Sequence, residues 1–143
     1  AEKAAAEKAA AEKAAAEKAA IKNSGNLFYL AIVEKQPVFQ GCAKNNSKNE
    51  NFTCFQKKLM QHINDNLQYP ILAKEKNISE TILVEFIINK EGKVIAAQVI
   101  KGKNKHLKEE ALRLINTIPN MTPAKHNEKN VAVAFTIPIN FKL

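Results

Sequence analysis

Apolar residues recur along this chain in distinct rhythms, and each rhythm predicts an element. Phe55, Leu59, Ile63 and Leu67 fall every fourth position, the stripe of an amphipathic helix that opens near Asn51-Phe52-Thr53. That helix is expected to fade at 64–66, because Tyr69 precedes Pro70 and is pushed out of the α region. Ile71 to Lys76 reads as one further helical turn. The rhythm then shortens to two. Ile82, Val84, Phe86 and Ile88 fall on every second position and face one way, and Val94–Ile100 returns after Asn89-Lys90-Glu91-Gly92, so the pair predicts an antiparallel hairpin with Gly92 at positive φ. Leu107, Ala111, Leu114, Ile115 and Ile118 mark a second helix, stopped before Pro119. Val131, Val133, Phe135 and Ile137 mark a last strand over Asn130–Ile137, and Pro138 suits its end or an edge. The assembly expected from these elements is an α+β fold, two helices packed on a three-stranded antiparallel sheet.

Ahead of this comes a different kind of sequence. Residues 1–20 are four copies of Ala-Glu-Lys-Ala-Ala, a strong helix former with no apolar stripe beyond alanine, which is read as standing outside any packed core. Its physics is that of a semi-rigid helical spacer, and its perfect period reads first as an engineered one, with a natural envelope-crossing stalk as the alternative. Asn23-Ser24-Gly25-Asn26 interrupts it. The expected organisation is therefore a spacer over 1–20, a linker or edge segment over 21–36, and a packed domain over 37–143. Within the linker, Leu27 to Val33 is apolar and short, either an added edge strand or a segment lying across the sheet.

Composition narrows the function classes. The chain carries a formal charge of +8, and since each repeat is neutral the surplus belongs to residues 21–143. The lysines are scattered and Arg113 is the sole arginine, so a solvated basic surface is preferred over nucleic-acid readout, which favours arginine forks and aromatic platforms. No apolar run is long enough to span a bilayer, and no signal peptide is visible ahead of the repeat. Cys42 and Cys54 flank an Asn-, Lys- and Ser-rich loop. A disulfide is the leading reading, which would place the domain in an oxidising compartment; free thiols and a metal half-site remain as alternatives, the last disfavoured because no histidine has ligand spacing.

No catalytic constellation stands out. His62, His106 and His126 are isolated and read as surface histidines. Glu109-Glu110 read as first-turn helix residues facing solvent. No phosphate-cradling glycine loop or nucleophile elbow is present, and no cofactor is expected. The chain reads as a binding module.

The order of these elements, with Gln68-Tyr69-Pro70, Val84-Glu85-Phe86, Gly92, Glu110-Ala111-Leu112-Arg113, Met121-Thr122-Pro123 and the closing Phe135-Thr136-Ile137-Pro138-Ile139-Asn140-Phe141, resembles the C-terminal domain family of TonB, the energy transducer of Gram-negative bacteria. Pro37-Val38-Phe39-Gln40-Gly41-Cys42 with Cys54-Phe55 resembles a cysteine-bearing branch of it, so the likeness runs over about residues 32–143. The resemblance implies a periplasmic domain of an inner-membrane-anchored protein. Its partners would be outer-membrane transporters, whose TonB box adds as a strand, and inner-membrane motor proteins reached through an anchor this sequence lacks. It implies partner contacts at Asn66, Leu67, Gln68, Tyr69 and Pro70 and along Val131, Val133, Phe135 and Ile137, with Leu67 standing where the family pattern has proline. The helical repeat is closer to the stalk of TolA, a related transducer, than to the proline-rich spacer usual in TonB. A TolA-like envelope protein, or a secreted inhibitor or structural domain, are the rival readings.

Overall fold

A computed structural model describes residues 13–16, 18–20, 27–29, 33–42 and 48–142. Strand β1 is Leu27–Tyr29, helix α1 Lys48–Asn66 and the short helix α2 Ile71–Glu75. Strands β2 (Glu80–Ile88) and β3 (Val94–Lys101) precede helix α3 (Lys105–Asn116), and strands β4 (Ala124–His126) and β5 (Lys129–Phe141) close the chain. Residues 13–16 and 18–20 are helical as well.

The antiparallel centre β5-β2-β3 with α1 and α3 against it follows the sequence pattern. The full architecture is richer than two helices on three strands. β1 joins β5 in parallel, Leu27 opposite Ala132 and Tyr29 opposite Ala134, and β4 forms a hairpin with the start of β5. That hairpin escaped the sequence reading for a physical reason. Its two-residue turn, Asn127-Glu128, holds both residues at positive φ (53° and 66°), the geometry usually announced by glycine.

The core lies on one face of the sheet. Ile82, Val84, Phe86 and Ile88 of β2 and Val131, Val133, Ile137, Ile139 and Phe141 of β5 meet Phe55, Leu59 and Ile63 of α1 and Leu107, Ala111, Leu114 and Ile115 of α3. A chain of edge-to-face rings threads it, with centroids 6.5 Å apart for Phe39–Phe55, 5.5 Å for Phe55–Phe135 and 5.9 Å for Phe135–Phe86. Ile87, Ala132 and Ala134 form a smaller cluster of their own, with Leu27, Ile95 and Ala96 packed against it. The alternation of β2 and β5 places it on the sheet's other face. The alanine-rich repeat also joins a packed surface. Ala14 is 5% exposed, and Lys18 pairs with Glu85, the neighbour of Ile87 on β2, so the expectation that the repeat stays clear of packing is corrected.

Peripheral segments are tied down at named points. Asn89 accepts from the Glu91 and Lys93 N–H groups through its side chain, closing the β2–β3 turn. Gly92 there has φ +83°, and its carbonyl accepts from the Met121 N–H at 2.9 Å. A Cβ at this position would fall 1.7 Å from the Met121 carbonyl oxygen, so only glycine fits. Glu80 fastens the β3–α3 turn: its carboxylate accepts from the Lys103 and Asn104 N–H groups at 3.0 Å, while the Asn104 side chain caps α3 through the Leu107 N–H. Residues 33–42 form a strap, bridged to the region of β4 by paired bonds of 2.9 Å between Lys35 and Lys125 and 3.0 Å between Val38 and Thr122. The Asn51 amide of α1 donates to the Gln36 and Pro37 carbonyls, and the Cys42–Cys54 disulfide joins strap to helix covalently.

Two predictions follow from these anchors. Opening the disulfide, by reduction or by Cys42→Ser with Cys54→Ser, should cost about 3 kcal/mol, read as a lowered Tm by calorimetry. The hydrogen bonds from Asn104 and Lys103 hold the Glu80 carboxyl below its usual range, despite a smaller opposing cost of burial. The stability this group contributes is therefore present above the ordinary carboxylate pKa and lost as pH falls through the lowered one. Acid titration monitored by circular dichroism should show this loss in the unaltered chain and a flatter profile in Glu80→Gln.

Candidate functional site

The expected contact loop, 66–70, begins where α1 ends. Asn66 closes the helix, its side chain turned back to the His62 carbonyl at 2.7 Å. Leu67 packs against the core edge, and Tyr69 stands edge-to-face on Phe141 at 5.9 Å with its hydroxyl donating to the Ile78 carbonyl. The loop therefore sits at the C-terminal end of β5.

An ion pair between a buried carboxylate, Glu110, and an exposed guanidinium, Arg113, holds the loop's shape. Glu110 lies in the second turn of α3 and is 8% exposed, which corrects its reading as a solvent-facing first-turn carboxylate. One of its oxygens takes the Gln68 N–H at 2.6 Å and an Arg113 Nη2–H at 2.8 Å, while the other takes Arg113 Nε–H at 2.5 Å. The same Nη2 donates to the Asn66 carbonyl at 2.8 Å. The hydrogen bond to Glu110 holds the Arg113 guanidinium's pKa above its ordinary value, against a smaller desolvation effect. The i,i+3 spacing of Glu110 and Arg113 was visible in the sequence; that both reach across to one loop was not. Beside the clamp runs a groove of about 370 Å³ walled by Gln68, Tyr69, Pro70, Ile71, His106 and Glu109 among others. Ile71, on the groove wall, and its neighbour Leu72 are 73% and 51% exposed, an apolar pair in what the sequence reads as an ordinary helical turn.

The strand residues are placed differently from the expectation. Val131, Val133 and Ile137 are buried, and Phe135 is packed between Phe55 and Phe86. The stretch Asn130–Ile137 is not open along its length: β4 pairs with Lys129–Val131 and β1 with Ala132–Ala134. Among the described residues, nothing pairs with the outer side of β5 beyond Ala134.

Backbone parity decides what that side offers. The β2–β5 register is unbroken from Glu80↔Phe141 to Ile88↔Val133. Proline has no N–H, so Leu83↔Pro138 is a non-hydrogen-bonded pair, and pair types alternate from there. Val133, Phe135, Ile137 and Ile139 thus turn their N–H and C=O groups toward β2. Thr136, Pro138 and Asn140 turn theirs outward, with Pro138 contributing its carbonyl alone, and their side chains are exposed. The opposite edge of the sheet is less regular. The β2–β3 register shifts twice, Ala96 has φ +54°, and Ile100 is left 51% exposed on β3, features of a bulged edge that resists pairing.

The histidines stand apart from one another. His62 meets Thr117 Oγ1 at 3.1 Å, His106 lines the groove, and His126 lies on Phe28 with centroids 4.7 Å apart. No group of His, Cys, Asp or Glu suited to a metal ion is found among the described residues, and no helix among them is long and apolar enough to cross a membrane.

A family model described as Gram-negative bacterial TonB protein C-terminal matches residues 65–143, the span from the loop to the end of β5. The chain belongs to the TonB C-terminal domain family. Domains of this family are periplasmic, non-enzymatic transducer modules that interact with outer-membrane transporters. Among solved structures, the chain is similar to the solution structure of the Helicobacter pylori TonB C-terminal domain, residues 179–285, at 27% identity and a TM-score of 0.54, covering 69% of this chain and 85% of that one. A shorter form of that domain, residues 194–285, is 29% identical over 62% of this chain and 92% of its own, with a TM-score of 0.49. No curated protein matches the chain in sequence. The strap and the disulfide lie upstream of the family match.

The clamp yields a prediction. Glu110→Ala should leave the Gln68 N–H and the Arg113 guanidinium without their acceptor, at a cost of roughly 1–3 kcal/mol. Amide shifts at Gln68 and Tyr69 should move further than those of β2, measured by NMR on the same sample.

Proposed function

We propose that this domain is the receptor-binding end of a TonB-type energy transducer. It takes the TonB box of an outer-membrane transporter as an added strand on the outer side of β5, and passes on force derived from the inner-membrane ion gradient through a motor complex. The observation that carries this reading is the run of outward backbone groups from Thr136 to Asn140, on a regular strand end beside the clamped loop. Main-chain hydrogen bonds supply affinity in such an addition and neighbouring pockets supply selectivity. Here the selectivity would come from the groove at Gln68, Tyr69 and Pro70 and from the exposed Ile71 and Leu72.

Titration with peptides carrying a TonB box, followed by backbone amide shifts, tests the reading. Saturable shifts are expected at Thr136–Asn140 and at Gln68–Leu72. Thr136→Pro removes an outward donor while sparing the β2 ladder, and should weaken binding roughly two- to tenfold in a domain that still folds. Val133→Pro deletes a donor facing β2 and should instead damage the fold. Saturable shifts confined to β3, or flat spectra from a folded domain, would sink the proposal.

A further inference from the structure

The outer side of β5 must accept one kind of strand and refuse another. A regular exposed edge is a template for any extended chain, and the commonest one at hand is the same edge on a second copy. Among the described residues, the edge between the part covered by β1 and the end of β5 offers outward N–H groups at Thr136 and Asn140 and outward carbonyls at Thr136, Pro138 and Asn140. The centre of the row therefore lacks a donor.

We propose that Pro138 makes this edge selective for a foreign strand over a second copy of the domain. This rests on the strand-addition reading above and adds a specificity determinant to it. When a foreign strand with a complete set of donors docks, one of its carbonyls finds no partner, and that carbonyl faces solvent at an exposed position. When two copies pair about a two-fold axis, each brings its own proline, so two donors are missing. This holds whether the prolines face each other or each faces Thr136 or Asn140 of its partner. In the register that puts the prolines face to face, the two rings also occupy the space where the bonds would form. Registers that avoid Pro138 by sliding upstream meet β1 on Ala132–Ala134, and pairing with the bulged β3 of another copy is blunted by its irregular edge. Pro138 costs a foreign partner one hydrogen bond and a self-pair two.

Pro138→Ala restores the donor and leaves the β2 ladder untouched. The variant should self-associate at concentrations where the unaltered chain sediments as a monomer, and it should bind a TonB-box peptide roughly two- to tenfold more tightly, the peptide dissolving the dimer. A variant that stays monomeric across the same range overturns the inference, as does an unaltered chain that dimerises with amide shifts at Thr136–Asn140. If the unaltered chain binds no TonB-box peptide while Pro138→Ala still dimerises through this edge, the proposed function fails and the exclusion of self-pairing stands. Should the variant not fold, TonB-box peptides N-methylated one residue at a time decide the matter on the unaltered chain. Three alternate positions should lose binding, the middle one facing the Pro138 carbonyl, and tolerance at that middle position overturns the inference.

Discussion

The unbroken antiparallel ladder between β2 and β5 is the constraint from which the rest of this domain follows. Nine consecutive pairs, Glu80↔Phe141 to Ile88↔Val133, run without a bulge. An unbroken register keeps two alternations in phase: which side chains enter the core, and which backbone groups face the neighbouring strand. Both helices pack on the face that register selects. The same phase leaves Thr136, Pro138 and Asn140 with exposed side chains and outward backbone groups together. Insertion of one residue into β5 would exchange core for surface beyond it and turn the outward backbone groups toward β2.

Around that ladder, the segments are fixed by a few specific contacts more than by broad burial. Glu80 pins the start of α3, Gly92 meets the backbone at Met121, and Glu110 with Arg113 joins α3 to the end of α1. Each contact joins an element to a turn, which is where backbone groups lack the partners that regular structure supplies. The charged residues in these roles act on backbone groups and not on each other alone. The scattered lysines supply most of the positive charge, and Lys103 and Lys108 add a smaller attraction to the Glu80 carboxylate.

Much of this was legible in the sequence. Period-four and period-two spacing placed α1, β2, β3 and α3 within a few residues, and the glycine of the β2–β3 turn announced its positive φ. The two cysteines were read as a bridge, and the structure contains it. Other features were hidden for definable reasons. The β4–β5 turn uses Asn127 and Glu128 where glycine is the usual signal, and three-residue β1 is too short for any periodicity. The strand residues at which the resemblance implies partner contacts share the apolar alternation that marks the core, and Val131, Val133 and Ile137 are buried. The outward-facing backbone groups of this strand end belong to the residues between them, and backbone direction leaves no trace in hydrophobicity. Glu110 carried its i,i+3 partner in plain view, but its burial depended on where the loop at Gln68 would fall.

The Cys42–Cys54 bridge has a mechanical meaning as well as a thermodynamic one. A chain pulled from its N-terminal side transmits tension along its covalent backbone, residue by residue. The disulfide offers a shortcut: force arriving at Cys42 crosses directly to Cys54, within α1. The strap's hydrogen bonds to Lys125 and Thr122 lie before that crossing and would take the first shear.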